Sequence, residues 1–147
     1  MHVKQMLPRA RERLATIGAN APVVEAAALM SEPHTDLVVV CDDEGSMVGV
    51  ITKTDIVKRI RQCTGAGCRD SVETIMEREV VSCRPDDVLR DVWQILSARG
   101  LQRIPVLDEY CIPVGIIYAR DALQRLLGES EDEDALLRDY IGNTGYR

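Results

Sequence analysis

"GVITKTD" at residues 49–55 closes a β-branched run with a Thr-x-x-Asp step, and the pattern returns at residues 115–121 as "GIIYARD". Glycine and aspartate recur at the same displacement, with Tyr118 standing where the first copy has Thr52. Without a gap, that displacement also pairs Ser31 with Ser97, Val40 with Val106, Asp42 with Asp108, Ile51 with Ile117 and Arg59 with Arg125. The match runs from Leu14/Val80 to Ile60/Leu126, so the chain holds two copies of one unit.

Working outward from the repeat, "LVVVCDDEGSMVGVIT" (37–52) and "RIPVLDEYCIPVGIIY" (103–118) each place two apolar runs around an acidic turn, the signature of a β-hairpin. Before each hairpin a short strand (Leu14–Ile17; Val80–Cys83) and a helix of apolar spacing (Val23–Met30; Val88–Leu96) are predicted. Asp86 and Asp87 suit the start of the second of these helices. A further helix follows each hairpin (Lys53–Arg61; Ala119–Leu127). The predicted fold class is α/β (α+β), two tandem β-α-β-β-α units. A unit of about 50 residues buries too little surface to be stable alone, so the two should pack sheet to sheet.

The units divide at 1–61 and 72–127, joined by the glycine-containing linker 62–71. A lead-in to each copy also recurs, "VKQML" at 3–7 and "VETIM" at 72–76, with "PRARERL" lengthening the first. In the acidic tail 128–147, Ser130 as N-cap, the acids 131–134 and the stripe Leu136/Tyr140, Leu137/Ile141 predict one more helix, packing on the module or on a partner.

Composition sets limits on function. With 147 residues, 46% hydrophobic and 29% charged, the chain reads as globular. No apolar run reaches the roughly 20 residues that span a bilayer, and no secretory signal opens the sequence, so the expectation is a cytoplasmic protein without a membrane partner. A net charge of −6 with no local basic patch argues against nucleic acid. Five cysteines, an odd number, suit reduced thiols. Lacking Phe, the core must be built from Val, Ile, Leu, Ala and Met.

Thr52-x-x-Asp55 at a strand-to-helix junction has the form of a capping box, in which each side chain satisfies a backbone N–H of the other residue. Tyr118 offers no small N-cap acceptor, yet Asp121 persists. Lys53 and Arg120 bring positive charge to helix N-termini, which the helix dipole disfavours unless an anion is near. A carboxylate at a helix start can accept from both hydroxyls of a ribose, while N–H groups, a Thr hydroxyl and a cation suit the attached phosphate. These features together describe a nucleoside phosphate site.

The duplicated unit, "RIPVLD" and the Gly-apolar-apolar-Thr-x-x-Asp ending resemble a tandem pair of cystathionine β-synthase (CBS) domains, a Bateman module, over about residues 1–127. The resemblance implies pseudo-twofold symmetry and an adenosine-containing ligand (AMP, ADP, ATP, NAD or S-adenosylmethionine, with AMP or ATP favoured) in the cleft between copies. It further implies a homodimer, formed through exposed helices such as Lys53–Arg61, that signals to a partner protein. Carried over, Asp55 and Asp121 would hold ribose, Thr52 phosphate, and Arg103 would be a basic phosphate contact. Leu37 stands at the Arg103 position of copy one. Each half-site is therefore incomplete, one with Thr52 and Asp55, the other with Arg103, Arg120 and Asp121 beside Tyr118. Val38 and Ile104 would wall the base, and Thr35 and Gln102 read its edge; sheet core alone also accounts for the β-branched pair. The alternative is a ligand-free dimerising adaptor.

Catalysis finds few candidates. His2 and His34 lie near no nucleophile motif, and the acid pairs Asp42-Asp43 and Asp108-Glu109 fall in hairpin turns, where Asp bonds to local backbone. Trp93 sits among helix-packing residues. No catalytic residue and no enzyme activity is assigned. Cys63 and Cys68 have a metal-like spacing but too few companion ligands for structural zinc, so a reversible linker disulfide is the stronger of these two minor readings, although no feature marks either thiol as low in pKa.

Overall fold

The computed structural model describes residues 1–33, 35–62 and 69–132. Copy one contains β1 (Thr16–Gly18), α2 (Val23–Leu29), the hairpin β2 (Leu37–Cys41) and β3 (Met47–Thr52), and α3 (Lys53–Gln62), preceded by α1 (Leu7–Arg13). Copy two contains α4 (Leu89–Arg99), the hairpin β4 (Arg103–Leu107) and β5 (Pro113–Tyr118), and α5 (Ala119–Asp132). The first sheet has the order β1-β2-β3, with β1 parallel and β3 antiparallel to β2; the second holds β4 and β5, antiparallel. Both hairpins shift register at the same point, Val40/Cys41 and Val106/Leu107.

The side-chain alternation of the strands builds the layers. On β2 and β3, Val38, Val40 and Ile51 point toward the helices, while Leu37, Val39 and Val50 point the other way and meet Ile116 and Tyr118 of β5. This second set is the expected sheet-to-sheet contact, and Leu14 and Val80 close its edges.

The expected strand at Val80–Cys83 is reduced to one parallel bridge between Cys83 and Val106. Proline explains the loss. In copy one the N–H of Val39 donates to the Ala15 carbonyl at 2.9 Å, and the equivalent of Val39 in copy two is Pro105, which has no N–H to give.

The lead-ins cross over. Val3 and Leu89 bond reciprocally to backbone of copy two and the N-terminus (Val3 N to Asp87 O and Leu89 N to Met1 O, both 2.9 Å). Val23 N to Asp70 O and Val72 N to Ala21 O, both 2.8 Å, do the same on the other side. Val3, Met6 and Ala10 therefore complete the core of copy two, and Val72 and Met76 that of copy one. The extra residues of the first lead-in form α1, which the sequence reading lacked. Ala10 of α1 lies against Gly115 of β5, as Met76 lies against Gly49.

Two further boundaries differ from expectation. α4 starts at Leu89, so Asp86 and Asp87 sit in the preceding turn, where Asp87 Oδ2 accepts from Arg84 N at 2.8 Å. α5 runs through Asp132, which places Ser130 inside a helix, not at the N-cap of a new one. The stripe at 136–141, like Cys63, Cys68 and His34, lies outside the described residues. No helix among the described residues is long and apolar enough to cross a membrane.

Candidate ligand-binding clefts

Two clefts flank the sheet-to-sheet core, one beside Thr52 and Asp55 and one beside Arg13 and Arg120. The first has a volume of about 570 Å³. Copy one contributes Leu37, Val50, Thr52 and Asp55, and copy two contributes Gln102, Arg103 and Ile104, with Glu77 and Glu79 on the lead-in between them. Arg103 thus joins Thr52 and Asp55. The half-sites divided in the sequence reading are assembled differently in space, because β4 of copy two faces the β3–α3 junction of copy one.

The capping box forms. Thr52 N and Thr52 Oγ1 donate to Asp55 Oδ2 at 2.9 and 3.1 Å, and Asp55 N donates to Thr52 Oγ1 at 3.4 Å. Next to it Asp36 is held between two cations, Lys53 Nζ at 3.1 Å from Oδ1 and Arg103 Nη2 on Oδ2. The Lys53 hydrogen bond, with Arg103 adding to it against partial burial, lowers the Asp36 pKa below the ordinary carboxylate value. Lys53 at the α3 N-terminus therefore already faces an anion within the chain. The Nε of Arg103 is buried without a hydrogen-bond partner.

The second cleft, about 440 Å³, is lined by Arg9, Glu12, Arg13, Leu14, Thr35 and Arg120. Asp121 does not line it. Its carboxylate is 7% exposed and is gripped by the Arg13 fork, Nε to Oδ2 at 3.1 Å and Nη2 to Oδ1 at 3.2 Å. The Arg13 guanidinium also lies 4.2 Å from the centroid of the Tyr118 ring, with Arg103 at 5.1 Å and Arg120 at 5.6 Å. Such a bidentate pair is strong and directional.

Of the other residues expected at the ligand, Ile104 and Gln102 reach the first cleft and Thr35 and Arg120 the second. Tyr118, 6% exposed, is part of the inter-sheet core. Val38 is fully buried in the core beneath α2 and α3 and lines neither cleft, whereas its equivalent Ile104 lies in the matching core of copy two and also borders the first cleft. Sequence reasoning missed Arg13 and Glu79. The signal lay one residue beyond the aligned start of the repeat, where the same displacement pairs Arg13 with Glu79.

The turn acids act as turn acids. Asp42 Oδ1 accepts from Glu44 N and Ser46 N at 2.9 and 3.0 Å, and Asp108 Oδ1 from Tyr110 N and Ile112 N at 2.8 and 3.0 Å. Burial pushes the Cys83 thiol up to about 12, with Asp87 adding to the effect, and raises Cys41 as well. Among the described residues no group of three or more His, Cys, Asp or Glu is placed to hold a metal ion.

With the repeat, the paired hairpins and the two clefts in place, the architecture is that of a tandem domain pair with ligand-sized clefts between its halves. The CBS domain model matches residues 3–62 and 72–128, and the chain belongs to the CBS domain family. It is 29% identical over 119 residues to the CBS domain-containing protein YhcV of Bacillus subtilis, covering 80% of this chain and 83% of that one. It is 30% identical over 113 residues to the L-aspartate semialdehyde sulfurtransferase of Methanocaldococcus jannaschii, covering 77% of this chain but 21% of the enzyme. The chain spans about a quarter or less of the length of this enzyme and of three other curated enzymes to which it is similar. Among solved structures, the CBS domain pair of protein MJ0100 in complex with 5′-methylthioadenosine and S-adenosyl-L-methionine is similar at TM-score 0.70 and 27% identity, over 88% of this chain and 98% of that one. The CBS-domain protein ATU1752 of Agrobacterium tumefaciens is similar at TM-score 0.69 and 27% identity, over 84% and 91%.

Proposed function

We propose that the chain is a regulatory module that binds an adenosine-containing compound in the first cleft and passes its occupancy to another protein. One observation carries the reading: Thr52 and Asp55 of copy one and Arg103 of copy two line a single cavity whose volume falls in the range of small-molecule sites. The ribose diol would take Asp55, the base would lie along Leu37, Val50 and Ile104, and a phosphate would compete with Asp36 for Arg103 and Lys53. Similarity to the MJ0100 domain pair supports this ligand class. A ligand touching both copies stabilises the arrangement of copies that it fits best, which is the thermodynamic requirement for signalling. The reading gives the chain no catalytic step.

A homodimer is part of the same proposal. Val57 of α3 and Leu123 of α5 are exposed at equivalent positions of the two copies, and so are Leu29 of α2 and Ile95 of α4. Isologous pairing through these pseudo-symmetric faces would bury apolar surface that a monomer leaves in water.

The rival reading, a ligand-free adaptor, draws on the fact that both aspartates already have structural partners, Asp55 in its capping box and Asp121 on Arg13. Thermal unfolding with AMP, ADP, ATP, NAD and S-adenosylmethionine decides between them. A ligand at 100 times its Kd adds about 2.7 kcal/mol. A shift with one compound that Asp55→Ala abolishes supports the sensor; no shift with any of them establishes the adaptor.

A further inference from the structure

We propose that Arg13 is a built-in occupant of the second cleft, so that the module takes one adenosine ligand per chain, in the first cleft. This rests on the ligand class proposed above. The repeat would otherwise predict two equivalent sites, since Asp55 and Asp121 occupy matching positions.

The lead-ins break the equivalence. At matching positions of the two lead-ins stand Glu79 and Arg13. Glu79 cannot pair with Asp55, and it lies exposed at the rim of the first cleft, its N–H bonded to Glu77 Oε1 at 3.2 Å, so Asp55 stays on the cavity wall. Arg13 takes both oxygens of Asp121, and these are the two acceptors a ribose diol would need. Its guanidinium lies over Tyr118, and Arg13 is only 13% exposed, so it is packed as well as paired. The consequence is visible in the cavities: Asp55 lines the first cleft, whereas Arg13 lines the second and Asp121 borders only a separate hollow of about 330 Å³ on the α1–α5 side, with Met6, Arg9, Gln124 and Arg125.

A nucleoside entering the second cleft would have to break both N–H···O bonds and find another partner for a nearly buried cation. Arg13 also ends α1, whose Ala10 lies against Gly115, so its backbone is fixed by the packing of α1 on β5, while its guanidinium is held by Asp121 and by the face of Tyr118. The closure is therefore part of the packing of copy two.

Isothermal titration of the full chain with AMP and with S-adenosylmethionine tests the proposal. Wild type should bind one equivalent per chain, Asp55→Ala none, and Asp121→Asn one. Combining Arg13→Ala or Arg13→Gln with Asp55→Ala should restore one equivalent by opening the second cleft; the glutamine variant keeps a donor near Asp121 in case alanine does not fold. Two equivalents in wild type, one of them lost in Asp121→Asn, would overturn the assignment. So would a folded Arg13/Asp55 double variant that binds neither compound. If wild type binds neither but an Arg13 variant gains a site, the first-cleft reading fails while the role of Arg13 stands.

Discussion

Gly115→Ala tests whether α1 is packed as tightly as the crossover of lead-ins implies. A Cβ built at Gly115 would lie 2.6 Å from the Cβ of Ala10, 3.0 Å from its carbonyl carbon and 3.2 Å from its oxygen. Carbon pairs are comfortable at about 3.5–4.0 Å, so α1 would have to retreat from β5 by roughly 1 Å. The atoms in the way are a rigid methyl and backbone, not the tip of a flexible side chain. The cost should therefore lie toward the upper end of the roughly 1–3 kcal/mol typical of overpacking. For a chain of this size each kcal/mol moves Tm by about 2–4 °C, which predicts a loss of about 6–12 °C by circular dichroism. Gly128→Ala is the control: it lies within α5 with nothing within 4 Å of its Cβ, so it should be neutral or stabilising by up to about 1 kcal/mol. In urea titrations, Ala10→Gly combined with Gly115→Ala should show a favourable coupling of at least about 1 kcal/mol, because the worst contact disappears. A Gly115→Ala protein as stable as wild type would refute the seating of α1 on β5, and with it the anchoring of Arg13.

Other outcomes follow from single residues. Cys111 adopts φ 65° at the turn position where copy one has Gly45 at φ 89°, so Cys111→Gly should stabilise the chain by roughly 1 kcal/mol, read as a higher denaturant midpoint. Because the Asp36 pKa is lowered on folding, its contribution is complete above the unfolded value near 3.8 and disappears as pH falls through the folded value; Asp36→Asn should flatten the loss of Tm below about pH 4, and an unchanged acid profile would remove the Lys53–Asp36–Arg103 clamp from the account. A thiol reagent at pH 8 should label exposed Cys111 rapidly but Cys83 only at the rate of unfolding, since burial holds that thiol protonated. Val57→Glu with Leu123→Glu should halve the mass seen by light scattering; an unaltered mass would place the interface elsewhere.

The hairpins and the helices after them were legible because their signals are local: β-branched runs, an acidic turn and an amphipathic stretch occur together and occur twice. Elements set by distant partners were not. α1 has one buried residue, Ala10, so its helix leaves no apolar stripe to read, and its place depends on a glycine far along the chain. The strand before α4 has the right composition but lost most of its ladder to Pro105, a residue of its partner strand. The site followed the same rule. Asp55, Thr52 and Asp121 could be named from the repeat and Arg103 from the family resemblance, but which of them share a cleft depends on how the two sheets cross.

Duplication alone would give two similar clefts, and here the asymmetry comes from the segments in front of the copies. The lengthened lead-in became α1, and α1 brought Arg13 to the carboxylate that the repeat supplies. The shorter lead-in brought Glu77 and Glu79 instead, leaving Asp55 facing a cavity and Arg103 balanced by Asp36. The same crossover that completes each core with the other copy's lead-in thus makes the two clefts opposite in the charge facing their returning aspartate. A ligand in the first cleft touches β3, β4 and the lead-in at Glu77, whose backbone pairs with Val50 in both directions at 2.8 and 3.0 Å. Occupancy there bears on the contact between copies, while the Arg13–Asp121 lock holds the opposite side fixed. The difference between the two clefts therefore follows from a few residues of the lead-ins that the aligned repeat itself does not contain.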